Sequence, residues 1–205
     1  MLLEEERKKI LAVANELYRF GHVQLSGGNI SIRDPKSGLI AITPSSVPYP
    51  RMEIDEILVI DENGNVVEGD KKPSIETPMH TLFYRKRPEI NAVVHCHSVY
   101  SVAVASKLGH IPASSIILYY NRYIVNMAPY ATPGSAEIAN SALDYMDNNF
   151  AVVLEGHGTV SVGPGIEFAL ATALSVEDAA KIAYLQATMP GDIIPREYDK
   201  ELLEF

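Results

Sequence analysis

Apolar residues recur at helical spacing near the start of the chain. Ile10, Leu11, Val13, Ala14, Leu17, Tyr18 and Phe20 predict a helix over about residues 4–20, and Gly21 supplies its stop. The pattern then changes. Ile30 and Ile32 alternate with polar neighbours up to a turn at Asp34-Pro35-Lys36-Ser37-Gly38, and Leu39–Ile42 reads as a strand. Three prolines between Thr43 and Pro50 forbid a regular element and leave a stiff loop carrying hydroxyls. Ile57–Ile60, the Asn63-Gly64 turn and Val66–Gly69 predict a hairpin, so the first third has antiparallel β character.

Farther along, helical patterns alternate with short apolar runs. A helix is expected through about residue 87, with Ser74 as its cap and Thr77 and Pro78 in its first turn. Further helices are expected over about residues 99–108, 135–147 and 166–189, the second of these capped by Ser135. The runs at Ala92–His95, Ile124–Met127 and Ala151–Leu154 read as strands. Between them lies an irregular segment with Tyr119, Tyr120 and Tyr123, and residues 191–205 form a polar tail. The expected fold is mixed α/β, of α+β character: a central, predominantly antiparallel sheet flanked by helices. At 205 residues the chain fits a single domain, 1–205.

Charge narrows the function. With 17 basic against 26 acidic residues and no basic block, neither nucleic acid nor an anionic membrane is the expected partner. No apolar run is long enough for a membrane span, and the charged start lacks a secretory core. The one cysteine, Cys96, excludes an internal disulfide, and a cytoplasmic protein is expected.

The chemistry gathers at strand ends. In Asn91–Ser98, alternation aims His95 and His97 the same way, and two imidazoles on one face can share a metal ion. Such a pair can equally be two ordinary core or surface histidines. Cys96 points to the opposite face and reads as packing. Glu76, near a helix start, is either a capping acid or a further ligand. His157, between Gly156 and Gly158 after a strand, extends the set to three nitrogens and a carboxylate, which suits zinc. His80 lies one turn after Glu76 and reads as a surface histidine. The Gly27-Gly28-Asn29 turn is either a plain loop or a set of backbone N–H groups for an anion. HExxH, GxSxG and GxxxxGK[ST] motifs are absent.

Six motifs in order carry a resemblance: SGGNIS at 26–31, ITPSSVPY at 42–49, PSIE at 73–76, HCH at 95–97, APYATPG at 128–134 and GHG at 156–158. Together they resemble the class II aldolase/adducin family over about residues 5–190, and within it the branch that cleaves L-fuculose 1-phosphate. The resemblance implies one zinc ion per subunit, held by Glu76, His95, His97 and His157. It implies a phosphate site at Gly28, Asn29, Ser45, Ser46, Ser74 and Ile75. Ile75 stands where a serine is usual, and Ser46 where a glycine is common. The implied reaction is reversible cleavage of a ketose 1-phosphate to dihydroxyacetone phosphate and a small aldehyde, with Glu76 carrying a proton. A catalytic tyrosine from a neighbouring subunit is also implied. The motif spacing puts Ile116 at its position, with Tyr119 or Tyr120 as substitutes. The partners implied are a sugar phosphate and three further copies of the chain, in a homotetramer with active sites at subunit contacts. Family alternatives are pentulose-phosphate 4-epimerases, which typically carry aspartate in place of Glu76, methylthioribulose-phosphate dehydratases, decarboxylases, and adducin-like binding modules that lack the full ligand set.

Overall fold

The computed structural model describes residues 1–112, 118, 121 and 124–191. Among these, nine strands form one sheet and five helices cover it. In chain order the elements are α1 (Glu4–Arg19), β1 (Asn29–Arg33), β2 (Ile40–Ile42), β3 (Leu58–Ile60), β4 (Val66–Glu68), α2 (Thr77–Lys86), β5 (Ala92–Cys96) and α3 (Val99–Leu108). There follow β6 (His110–Ile111), β7 (Val125–Ala128), α4 (Ala136–Met146), β8 (Ala151–Leu154), β9 (Gly158–Gly163) and α5 (Ile166–Thr188). The strand order is β4-β3-β2-β1-β5-β9-β8-β7-β6. Only β7 and β8 pair in parallel, so the sheet is predominantly antiparallel, as expected.

Both faces of β2, β3, β5 and β8 are buried, which is why these strands read as apolar runs. Strand alternation divides β5 between two cores. Val93 packs with Met79 and Phe83 of α2 and with Ile138 and Ala142 of α4. Ala92, Val94 and Cys96 pack on the other face with Ile10, Ala14 and Leu17 of α1 and Ala169 and Ala173 of α5. Farther out, alanines of α5 (Ala179, Ala180 and Ala183) pack with Val104 and Ala105 of α3 and Val153 of β8. Small side chains let these helices approach closely. Cys96 is fully buried, in keeping with a packing role.

The structure corrects two expectations and adds one strand. α2 starts at Thr77, with Glu76 at the N-cap position, so Ser74 is not the cap; its hydroxyl instead accepts the Glu76 N–H at 3.2 Å. His80 is fully buried rather than on the surface. Residues 158–163, to which the apolar pattern assigns no element, form β9, the central partner of β5. Ser135 does cap α4, accepting from the Ile138 N–H at 3.2 Å.

Candidate metal centre and substrate pocket

Register brings distant residues together. β1 pairs antiparallel with β5 so that Asn29 lies opposite His95. On the other side of β5, His95 lies opposite Val160 of β9. β8 and β9 form a hairpin in which Leu154 faces Gly158, and its three-residue turn, 155–157, carries His157 toward the end of β5. His97 follows β5 directly. Two glycines permit this closeness. A Cβ on Gly158 would strike the Cys96 carbonyl, and one on Gly28, where φ is +82°, would strike the His95 carbonyl.

The three imidazoles form a near-equilateral cluster, with ring centroids 4.8 to 5.2 Å apart. Each offers a ligand atom within 4.8 Å of the others, so the cluster can hold a metal ion. Glu76 lies across from it: Oε2 is 3.1 Å from His95 Nε2, and Oε1 is 3.9 Å from His157 Nε2.

Proton placement decides what this arrangement wants. His95 Nδ1 lies 2.9 Å from the Thr159 carbonyl, which can only accept, so Nδ1 carries the proton. Nε2 then presents a lone pair. Burial, with a smaller opposing pull from Glu76, pushes the His95 pKa down to about 4 from 6.5, so the ring is neutral at neutral pH. Burial would raise the Glu76 carboxyl, but His95, the Asn29 amide, His157 and His80 outweigh it and hold the pKa below the ordinary 4.5. A lone pair therefore faces a carboxylate oxygen inside the protein. His95 Nε2, Glu76 Oε1 and His157 Nδ1 are all buried without a hydrogen-bond partner. The His95 lone pair and the Glu76 carboxylate, facing each other beside two further imidazoles, call for a cation, and this donor set fits the metal centre that the motifs imply.

Behind Glu76 lies a chain of buried polar groups. Asn29 Nδ2 donates to Glu76 Oε2 at 2.8 Å, and His80 Nε2 lies 2.5 Å from Asn29 Oδ1. Ser31 Oγ is 2.6 Å from His80 Nδ1 and 2.7 Å from the Tyr84 hydroxyl. Burial pushes His80 down to about 3, so it too is neutral. The Asn29 side chain is thus directed to Glu76 and His80.

In front of the cluster opens a cavity of about 300 Å³, bounded by Gly28, Ser45, Ser46, Ser74, Ile75 and His97 among others. Among the described residues, no lysine or arginine lines it. Ser74 Oγ accepts from Glu76 N–H, leaving its own proton free to donate. Ser46 adopts φ +62°, a region that favours glycine. Ile75 is 64% exposed. The cavity and the imidazole cluster therefore bring together all ten expected metal- and phosphate-site residues. Tyr119, Tyr120, Tyr123 and Ile116 lie outside the described residues.

Sequence reasoning missed His80 and Ser31. The usable signal was the spacing of Glu76 and His80, four residues apart on one helical face.

Among the described residues, no helix is long and apolar enough to cross a membrane. A family model described as Class II Aldolase and Adducin N-terminal domain matches residues 8–184. A 5-deoxy-D-ribulose 1-phosphate aldolase from Bacillus thuringiensis serovar kurstaki is 38% identical over 184 residues, covering 90% of this chain and 86% of that protein. An L-fuculose phosphate aldolase from Escherichia coli strain K12 is 35% identical over 196 residues, covering 95% of this chain and 89% of that one. A solved structure of L-fuculose 1-phosphate aldolase superposes with a TM-score of 0.91 at 31% identity, covering 98% of this chain and 94% of that one.

Proposed function

The chain belongs to the class II aldolase and adducin family, and on that premise we propose that it is a zinc-dependent aldolase. Its reaction is the reversible cleavage of a ketose 1-phosphate of the L-fuculose 1-phosphate kind to dihydroxyacetone phosphate and a small aldehyde such as L-lactaldehyde. The observation that carries this reading is the lone pair of His95 Nε2 set 3.1 Å from a Glu76 carboxylate oxygen in a buried site.

In this reading His95, His97, His157 and Glu76 hold the metal. The chemistry a bound zinc supplies is Lewis-acid stabilisation of the negative charge that builds on the ketose oxygens as the C3–C4 bond breaks. The rest falls to the chain. Cleavage removes the C4 hydroxyl proton, and C3 of the departing three-carbon half must gain one. Glu76 delivers that proton, and in condensation takes it back. The Asn29 amide, donating to Oε2, favours its charged form, so it returns to carboxylate after each transfer. The His95 tautomer, set by the Thr159 carbonyl, keeps the Nε2 lone pair turned toward Glu76, where it would serve the metal.

The phosphate is taken at the rim, by the Ser45, Ser46 and Ser74 hydroxyls and by N–H groups at Gly28 and Ile75. Such a site suits a dianion without a lysine. Asn29 serves it through the backbone, because its side chain is turned to Glu76 and His80. For the C4 hydroxyl proton the candidates remain Tyr119 and Tyr120. The reading also takes residues 1–205 as one domain of a cytoplasmic homotetramer. Apolar side chains that a single chain leaves exposed, among them Phe20, Leu25 and Val99, favour association.

The test is a substrate panel on zinc-loaded protein: L-fuculose 1-phosphate, 5-deoxy-D-ribulose 1-phosphate and L-ribulose 5-phosphate, with dihydroxyacetone phosphate release as readout. Release from a 1-phosphate is expected. Epimerised L-ribulose 5-phosphate without any such release would overturn the aldolase reading while leaving the metal site standing.

A further inference from the structure

We propose that His80 is a positioning residue that, acting through Asn29, holds the Glu76 carboxylate in its working orientation. The inference rests on the proton-carrying role assigned to Glu76, and it comes from reading donors and acceptors outward from that residue. A carboxylate only accepts, so the 2.8 Å contact requires the Asn29 nitrogen, not its oxygen, to face Glu76 Oε2. Asn29 Oδ1 must then face His80, and the ring nitrogen 2.5 Å away must carry a proton. That places the proton on Nε2. In a neutral ring Nδ1 becomes an acceptor, so the Ser31 hydroxyl donates to it and the Tyr84 hydroxyl donates to Ser31. Every polar atom from Tyr84 to Glu76 has one role.

The chain matters because an amide can turn over. Without a donor on the His80 side, nothing distinguishes the two ends of the Asn29 amide from behind. Turned over, it would set its oxygen against the carboxylate of Glu76, and the two would repel. His80 forbids that arrangement, and β1 and α2 hold its own ring by burying it completely. Glu76 must switch between contact with the imidazole cluster and proton transfer, so a fixed pivot for one of its oxygens has a clear use. Partners at this remove from a reacting group typically carry about 10–100-fold of activity.

Two variants separate positioning from mere filling of space. His80→Gln keeps an N–H donor toward Asn29, whereas His80→Leu keeps bulk and removes the donor. The kinetic readout is deuterium uptake into dihydroxyacetone phosphate from heavy water, which needs Glu76 but no aldehyde. His80→Leu is expected to lose about 10–100-fold in kcat with KM and metal stoichiometry little changed, and His80→Gln to recover most of that loss. Equal losses in both variants, or none in His80→Leu, would overturn the proposal. The second readout needs neither turnover nor a variant. In metal-free, nitrogen-15-labelled wild-type protein, His80 is expected as the neutral Nε2–H tautomer, and a proton on Nδ1 would overturn the proposal outright. If wild-type enzyme shows no deuterium uptake, the aldolase reading fails, and the tautomer still decides whether the chain is aligned on Glu76.

Discussion

On the floor of the pocket, Asn29, Glu76, His80 and His95 are buried, and their side chains form a chain of hydrogen bonds that ends in acceptors facing one another. On the rim, Ser45, Ser46 and Ile75 are open to solvent to varying degrees and stand on loops. The floor is carried by β1, β5 and the start of α2, elements fixed by two apolar cores. What differs is the number of protein partners. Floor groups are oriented by neighbours, and one of their demands is left for a cation. Rim groups keep donors unspent, which is what a phosphate with several acceptor oxygens requires. Changes on the floor should therefore act on the chemical step, and changes on the rim on binding.

The largest effect is expected from Glu76→Gln. It keeps shape and removes the proton carrier, so kcat should fall by about 10²–10⁴-fold while KM moves little. A variant that kept full kcat would show that Glu76 is only a helix-start residue. Next comes the acid stability of the metal-free protein. The ordinary histidine value is 6.5, whereas His95 and His80 are held near about 4 and about 3. The unfolded chain therefore binds protons at a higher pH than the folded one. Their contribution to stability is complete above about pH 6.5 and is lost as pH falls from there toward 4 and 3. Urea midpoints measured across that window should decline, and a flat profile would mean these rings are not buried neutral.

A smaller effect is expected on the rim. Ser74→Ala removes a hydroxyl proton not committed to the protein, and a hydrogen bond to a charged group contributes ~1.5–3 kcal/mol. KM for the phosphorylated substrate should rise at least about tenfold with kcat preserved. Smallest of all, Ile75→Ser adds a hydroxyl at a position already 64% exposed, and KM should drop by a few-fold at most. A loss of kcat in either variant would erase the division between floor and rim.

Much of this molecule was legible beforehand because its signals are local. Periodicity marked α1, α3, α4 and α5, and the HxH alternation placed His95 apart from Cys96. The four side chains that the structure brings together at the candidate metal centre were named by ordered motifs. What escaped depends on partners far away in the chain. His80 is buried because Asn29 and Ser31 come to it from β1, 51 and 49 residues away. β9 opens on a glycine and carries Thr159 and Ser161 among its valines, so it lacked the apolar run that marks a buried strand; pairing with β5 and β8 makes it one. Ser74 looked like a cap by residue type, but the backbone enters the helix only after Glu76, which leaves the serine hydroxyl at the pocket. The turn at Asn29 was read for its backbone N–H groups, and only the structure shows the Asn29 side chain turned to Glu76 and His80.

The most direct test of the central claim is metal content measured alongside cleavage of a ketose 1-phosphate, before chelation, after it, and after zinc is returned. The account predicts about one zinc per chain, loss of dihydroxyacetone phosphate release when the metal is removed, and recovery in proportion to the zinc restored. In His95→Ala both occupancy and release should fall together. Undiminished cleavage by fully metal-free protein would contradict the account, and so would unchanged zinc occupancy in His95→Ala.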